Sequence, residues 1–317
     1  MTLWNFGYTR SFSLARLLAK QSVRLPEFQF NRQRSTVTSP DLKSEFHVQT
    51  HFHFLPDLRI LEKIVLLAGG QLTPRPDGTL EIQVQGIQLV ASGPEQVAIV
   101  QELFVNGIYN LGLPTKAVAI DIGMNVGLTS LFLASNSKIE RIYSFEPFLE
   151  TFQYGLKNIA LNPGLSHKIE PQRVAIADKN GELSVDYSPQ WRNNNSIVSS
   201  ELRSTAGLAS QTRSERIQLR RATEVIQSVI SRHQEAALVL KVDCEGSEYS
   251  IFEDLKQAGL LRKVHIVMLE WHKRGPGPLE KILTDEGFAT FSFEPTHPQA
   301  GMSYAVRLTA PTDLGKN

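Results

Sequence analysis

The chain is 317 residues long and 41% hydrophobic, with a net charge of +1 and a pI near 7.9. That length can bury a full core with room for one catalytic domain and an appendage, and the near-neutral balance lacks the basic excess that nucleic-acid binders use, so no nucleic-acid partner is expected. The single cysteine, Cys244, excludes an intrachain disulfide and suits a reducing compartment; no apolar run approaches the ~20 residues of a membrane span, so a cytoplasmic protein is expected.

From Met1 to Pro26 there is no acidic residue, and Arg10, Arg16, Lys20 and Arg24 interleave with Trp4, Phe6, Phe12, Leu14, Leu17 and Leu18. This composition is read as an arm that packs on its own domain or on a second copy of the chain, since no cleavage signal or long amphipathic helix is visible; a peripheral membrane-surface helix and a transit peptide are the alternatives. Residues 31–44 are polar, contain Pro40 and read as a linker, so residues 1–50 are expected to be arm and linker. His51 and His53 alternate with Phe52 and Phe54 as on a strand, with no third metal ligand nearby, and read as exposed. Pro56 and Asp57 open a helix with Leu58, Leu61, Ile64, Val65 and Ala68 on one stripe, closed by Gly69 and Gly70. Leu80, Ile82 and Val84, then Ile87 and Leu89 after Gly86, predict a small antiparallel pair. Ser92 with Glu95 forms a capping box for a helix carrying Val97, Val100, Leu103 and Phe104 up to Gly107. Residues 51–115 thus read as an N-terminal α+β extension.

From residue 116 the pattern changes to alternating strand and helix. Val118 to Leu133 holds a short apolar strand, a turn bracketed by Gly123 and Gly127, and a helix resuming at Leu128, Leu131 and Phe132. A dinucleotide fingerprint would need glycine at 123, 125 and 128, whereas the chain has Gly123, Asn125 and Leu128; this argues against an NAD-linked oxidoreductase. A second strand, Ile142 to Phe145, ends in Glu146, and a helix runs from Leu149 to Leu161. Gln172 to Ile176 reads as a third strand followed by Asp178, which sits in a turn leading to Leu183, Val185 and Tyr187. A polar loop from Trp191 to Ser200 follows. Ala236 to Val242 gives a fourth strand ending in Asp243, Gly246 permits a tight turn, and Glu248 suits the first turn of the next helix. The fifth strand, Val264 to Leu269, runs into Glu270-Trp271-His272, whose alternation puts Glu270 and His272 on one side. Phe288 to Phe293 and Ser303 to Leu308 close the chain as an antiparallel pair.

The pattern Asp121-x-Gly123-x-Asn125-x-Gly127, with Glu146 ending the next strand, resembles motif I and the acidic ribose clamp of class I S-adenosylmethionine (AdoMet) methyltransferases. Together with SFEPFLETFQYGLKNIALN (144–162), KVDCEGSE (241–248) and MLEWH (268–272), it makes the last two thirds of the chain resemble the FkbM family of AdoMet-dependent O-methyltransferases. The resemblance implies an α/β, Rossmann-like domain over residues 116–317, with a seven-stranded, mostly parallel sheet whose terminal strand is antiparallel. It implies AdoMet held by Asp121, Gly123, Asn125, Gly127 and Glu146, with Asp178 near the adenine. The acceptor it implies is a hydroxyl on a sugar, a glycolipid or polysaccharide, or a polyketide. Asp243, Glu270 and His272 are the candidate catalytic residues. Asp243 is expected beside the transferring methyl and His272 as general base, with Glu245, Glu270 or alignment alone as alternatives. A divalent metal on Asp243, Glu270 and His272 is chemically allowed but not expected. Rival functions are an NAD-linked oxidoreductase and a catalytically idle AdoMet-binding module.

Overall fold

The computed structural model describes residues 28–187, 213–293 and 299–308. The basic N-terminal segment and the polar loop of residues 191–200 lie outside the described residues. The chain divides into two units, Met1–Asn110 and Leu111–Asn317. Among the described residues no helix is long and apolar enough to cross a membrane.

In the first unit, β1 (Gln29–Asn31), β2 (Thr36–Thr38) and β3 (Phe46–His47) form a small antiparallel sheet. Residues 31–44 are therefore not a linker. Val37, Leu42 and Phe46 are buried, and the Ser39 hydroxyl donates to buried Glu62 on α1 (Leu58–Ala68). A few apolar anchors in a polar stretch were enough to fix it, and such sparse anchors carry no readable periodicity. The His-Phe alternation is not a strand either: Phe52–Asp57 is a 3-10 turn, and His51 is buried with Nε2 2.9 Å from the Arg75 carbonyl. β4 (Gln71–Pro74), β5 (Leu80–Val84) and β6 (Ile87–Ala91) make a meander, of which the first strand was not anticipated. Helix α2 (Pro94–Val100) starts at Gly93, and Gln96 rather than Glu95 reaches back to the Ser92 amide.

The second unit holds β7 (Ala117–Ile122), α3 (Leu128–Ser135), β8 (Ile139–Phe145), α4 (Leu149–Ala160), α5 (Pro163–Ser166) and β9 (Ile169–Gln172). Three further strands, β10 (Ala175–Ala177), β11 (Gly181–Tyr187) and β12 (Arg213–Arg221), build a side sheet in the order β10-β12-β11. The chain then continues through α6 (Ala222–Arg232), β13 (Ala237–Val242), α7 (Glu248–Gln257), β14 (Ile266–His272), α8 (Gly277–Asp285), β15 (Phe288–Ser292) and β16 (Ala300–Arg307). Seven of these strands form one sheet in the order β15-β16-β14-β13-β7-β8-β9. β16 runs antiparallel to both its neighbours, and the other pairings in this sheet are parallel.

The sheet follows from the apolar runs. Every residue of β7 is buried, as expected of a parallel strand covered on both faces. Ile120, Leu240, Val267 and Leu269 pack in one core with Val225 and Ile226 of α6 and Phe252 of α7. Ridge positions on each helix supply the apolar stripe that the sheet buries. Arg307 closes the last strand by donating to the carbonyls of Val264, Glu286 and Leu261.

In the second unit one strand departs from the sequence expectation. The third strand of the main sheet is β9, and it ends at Gln172 because the Val174 amide turns back onto the Gln172 carbonyl at 3.0 Å. The apolar residues that follow leave for the side sheet, where β10 pairs with β12.

Candidate active site

β7 delivers the chain into the turn that ends at Gly127. Gly123, at φ +85°, lies so close to the end of β13 that a Cβ there would sit 1.7 Å from the Asp243 carbonyl oxygen. Gly127, at φ +82°, packs against α4, where a Cβ would come within 3.2 Å of the Gly155 oxygen. Both glycines thus serve close backbone packing, and only a residue without a side chain tolerates these positions. The amides of Gly123 and Met124 donate to the Phe145 carbonyl at 3.0 and 2.9 Å, which ties the turn to the end of β8.

Glu146 stands immediately after β8 and is buried. Its two carboxylate oxygens accept the amides of Asn125 and Phe148, each at 3.0 Å. Burial pushes its pKa up to about 7, against the opposing pull of those amides and of the Lys241 charge. A carboxylate offers about four acceptor positions, so hydroxyl donors can still be taken.

Asp121 lies elsewhere. It is fully buried under the turn, 3.1 Å from the Lys241 ammonium, and accepts the Ser130 hydroxyl at 2.6 Å. Lys241 also donates to the Gly123 carbonyl at 2.7 Å and stands 3.6 Å from Asp243. Burial alone would lower the lysine pKa; the charges of Asp121 and Asp243 outweigh it and hold the ammonium charged. Lys241 was not anticipated as a site residue, although the signal was present: a lysine inside the apolar run ALVLKV must find a buried anion.

The largest concentration of charge gathers beyond the ends of β13 and β14, which are neighbours in the sheet. His272, the last residue of β14, is buried, and its Nδ1 lies 2.9 Å from Glu248 Oε1. Its Nε2 faces Glu245 Oε2 at 3.7 Å and Glu270 Oε1 at 3.8 Å. Asp243, Glu245 and His272 each offer a donor atom within 4.8 Å of the others. Glu248, at the start of α7, also accepts the amides of Cys244 and Gly246, so one carboxylate ties down the turn before its helix and fixes the imidazole. The Tyr249 hydroxyl donates to the carbonyls of His272 and Gly275, pinning the end of β14.

The electrostatics reflect this crowding. Burial works to lower the His272 pKa, but the bond to Glu248 and the charges of Glu245 and Asp243 prevail and raise it to about 10. Burial raises Glu245 to about 7, with His272 opposing and Asp243 and Glu248 adding to the rise. Tyr304 is pushed up to about 12 by burial and by the charge of Glu270.

Of the residues singled out from sequence, Asp243, Glu270 and His272 come together at adjoining strand ends. Gly123, Asn125, Gly127 and Glu146 form a second group at the ends of β7 and β8. Asp178 is exposed in the turn between β10 and β11, on the side sheet and not at a strand end of the main sheet. Glu245 and Glu248 belong to the site although sequence alone ties Glu248 only to its helix. Their spacing from Asp243 in DCEGSE marks a tight turn, but only the fold puts them against a histidine 24 or more residues away.

Residues 121–289 match the Methyltransferase FkbM domain, which is more than half of the chain. This chain belongs to the FkbM methyltransferase family. Among curated proteins it is 26% identical over 210 residues to Methyltransferase sdnD of Sordaria araneosa, covering 60% of this chain and 81% of that one. It is 21% identical over 209 residues to Methyltransferase 1 of Beauveria bassiana, covering 62% and 77%. A solved structure of Methyltransferase FkbM from Methylobacillus flagellatus KT superposes with a TM-score of 0.41 at 16% identity, over 62% of this chain and 45% of that one. For this FkbM methyltransferase the matched span begins at Asp121 and takes in both residue groups, and Glu146, Lys241 and the 243–248 turn all fall inside it.

Proposed function

We propose that this FkbM methyltransferase uses AdoMet to methylate a hydroxyl on a small-molecule or glycan acceptor. The observation that carries the reading is the pairing of two polar groups at the carboxyl ends of adjacent strands, where ligands of open α/β sheets bind. Glu146 would hold the ribose, and the Gly123–Gly127 turn would line the cofactor site. AdoMet, when bound, supplies an electrophilic methyl on a sulfonium cation. Asp243 borders the two groups and offers its carboxylate to that positive end.

The second group suits a hydroxyl. An alcohol becomes a competent nucleophile as its proton is accepted, and the carboxylates of Asp243, Glu245 and Glu270 converge where that proton would leave. His272 acting alone as base fits less well than the sequence suggested, because Nδ1 is engaged by Glu248 and Nε2 faces carboxylates that favour a proton there. Alignment of the two substrates supplies most of the acceleration in such a transfer.

The test is calorimetry with AdoMet and NAD, followed by mass spectrometry of hydroxylated sugars, glycolipids and polyketides incubated with methyl-labelled AdoMet. AdoMet binding and a labelled methyl ether support the reading. Binding of NAD without AdoMet, or label found only on nitrogen or carbon, would overturn it. AdoMet binding with no transfer to any acceptor class would favour an idle cofactor-binding module.

A further inference from the structure

We propose that Asp243, Glu245 and His272 form a binding site for one divalent cation beside the acceptor position. The inference deepens the methyltransferase reading and rests on it for what the cation would do; binding of the cation itself is independent of that reading.

Three carboxylates alone would not make a site. The separate observation is His272, whose side chain is 9% exposed and whose Nε2 points at them without a hydrogen-bond partner among the described residues. The carboxylate oxygens nearest to it, on Glu245 and Glu270, are 3.7 and 3.8 Å away, too far for a hydrogen bond. Metal–ligand bonds of roughly 2.0–2.2 Å separate neighbouring ligand atoms by roughly 3–4 Å; the Glu245–His272 gap matches that spacing, and a donor atom of Asp243 lies within 4.8 Å of both. The imidazole is also prepared for this role. Buried Glu248 accepts the Nδ1–H hydrogen bond at 2.9 Å and so fixes the ring with Nε2 as the nitrogen that faces the carboxylates, the outer-shell arrangement that orients histidine ligands. Glu245 is held at φ +59°, in a left-handed conformation unusual for a residue with a side chain, within the turn between β13 and α7.

The charge balance points the same way. Asp243, Glu245, Glu248 and Glu270 face His272, with Lys241 as the buried cation beneath Asp243. Two carboxylates and one neutral imidazole would bring a divalent ion to zero net charge, displacing the proton otherwise held on Nε2. A donor set of mixed oxygen and imidazole nitrogen suits Mn²⁺ or Mg²⁺ and admits Zn²⁺. Such an ion would polarise an acceptor hydroxyl and ease loss of its proton to a neighbouring carboxylate.

The experiment is titration of the full chain, stripped with EDTA, with Mn²⁺, Mg²⁺ and Zn²⁺ by calorimetry and, for Mn²⁺, by electron paramagnetic resonance, alongside AdoMet binding. One ion per chain is expected, with affinity falling at least tenfold in Glu245→Gln and in His272→Gln while AdoMet affinity stays within about twofold. Glu245 is part-exposed in a turn, so its variant keeps the test valid if His272→Gln fails to fold. The proposal is overturned if none of the three ions binds the wild type at millimolar concentration, or if Glu245→Gln binds as well as wild type. Retained ion binding with no AdoMet binding would instead sink the methyltransferase assignment and leave the cation site standing.

Discussion

At the scale of single residues, the turn after β7 is constrained more by its own backbone than by a ligand. A methyl group on residue 123 would overlap the Asp243 oxygen, and φ there is left-handed. Gly123→Ala is therefore expected to cost roughly 3 kcal/mol or more, from overpacking plus backbone strain. Urea denaturation checks this: a midpoint unchanged from wild type would show that the two strand ends can separate freely. Glu146 gives a pH prediction. Its pKa is raised from 4.5 to about 7 by burial, so in the free protein its contribution to stability is fully present below pH 4.5 and is lost as pH rises toward 7, on the order of 3 kcal/mol. Binding has the opposite sign, since only the ionised carboxylate accepts two hydroxyls. AdoMet affinity should weaken by roughly fivefold between pH 7 and pH 6 and show no such slope in Glu146→Gln. Calorimetry across that range decides it, and parallel slopes for both proteins would remove Glu146 from the cofactor site.

Among elements, β13 does most to organise the unit. It lies in the middle of the sheet, between β7 and β14, and ends beside the candidate site. Its lysine makes a buried ion pair with Asp121 on β7, so two adjacent strands are locked by charge as well as by their ladder. Lys241→Met should destabilise by about 3–5 kcal/mol, because it leaves the Asp121 carboxylate buried without its cation. Adding Asp121→Asn should restore a large part of that loss, since the stranded charge is then gone. Thermal or urea unfolding of the single and double variants tests this, and simple additivity of the two costs would refute the pairing. In the second unit, the strand expected at Gln172 to Ile176 is divided by a boundary. The run Gln172 to Ile176 looked continuous by hydrophobicity, but the Val174 amide closes on Gln172 and sends the chain to a second sheet.

For the whole molecule, each of the two units holds fully buried apolar residues, Phe54, Leu58, Leu61 and Leu80 among those of the first and a packed cluster around the seven-stranded sheet in the second. Residues 111–317 produced alone should therefore unfold cooperatively and keep AdoMet affinity within a few-fold of the full chain. Circular dichroism and calorimetry measure both; a fragment that folds yet loses AdoMet would move part of the cofactor site into the first unit. The expected division at residues 50 and 115 differs from this one mainly at its first boundary. Residues 28–50, anticipated as arm and linker, contribute Val37, Leu42 and Phe46 to the first unit.

What the sequence determined by itself was whatever is written locally. Apolar runs of five or six residues could only be buried strands, helical stripes had to face the sheet, and the glycines at 123 and 127 had to mark a turn without side chains. Those local patterns, with the four motif blocks, were enough for the sheet type and the family. They also marked Glu146, Asp243, Glu270 and His272, because polar residues at the ends of buried strands are conspicuous. Tertiary structure decided everything that depends on pairing across the chain. Asp121 and Asp243 look alike in sequence, each a carboxylate at a strand end, yet one is sealed under the turn by Lys241 and the other is part-exposed at the site. Asp178 looked like a strand-end carboxylate of the main sheet as well, but its strand pairs in the side sheet. His272 owes its state to Glu248 and Glu245, which arrive from the turn after the neighbouring strand. The physical reason is range. Burial and backbone geometry follow from neighbours within a few residues, whereas the charge state of a buried group is set by whatever the fold brings within about 4 Å of it, at any distance along the chain.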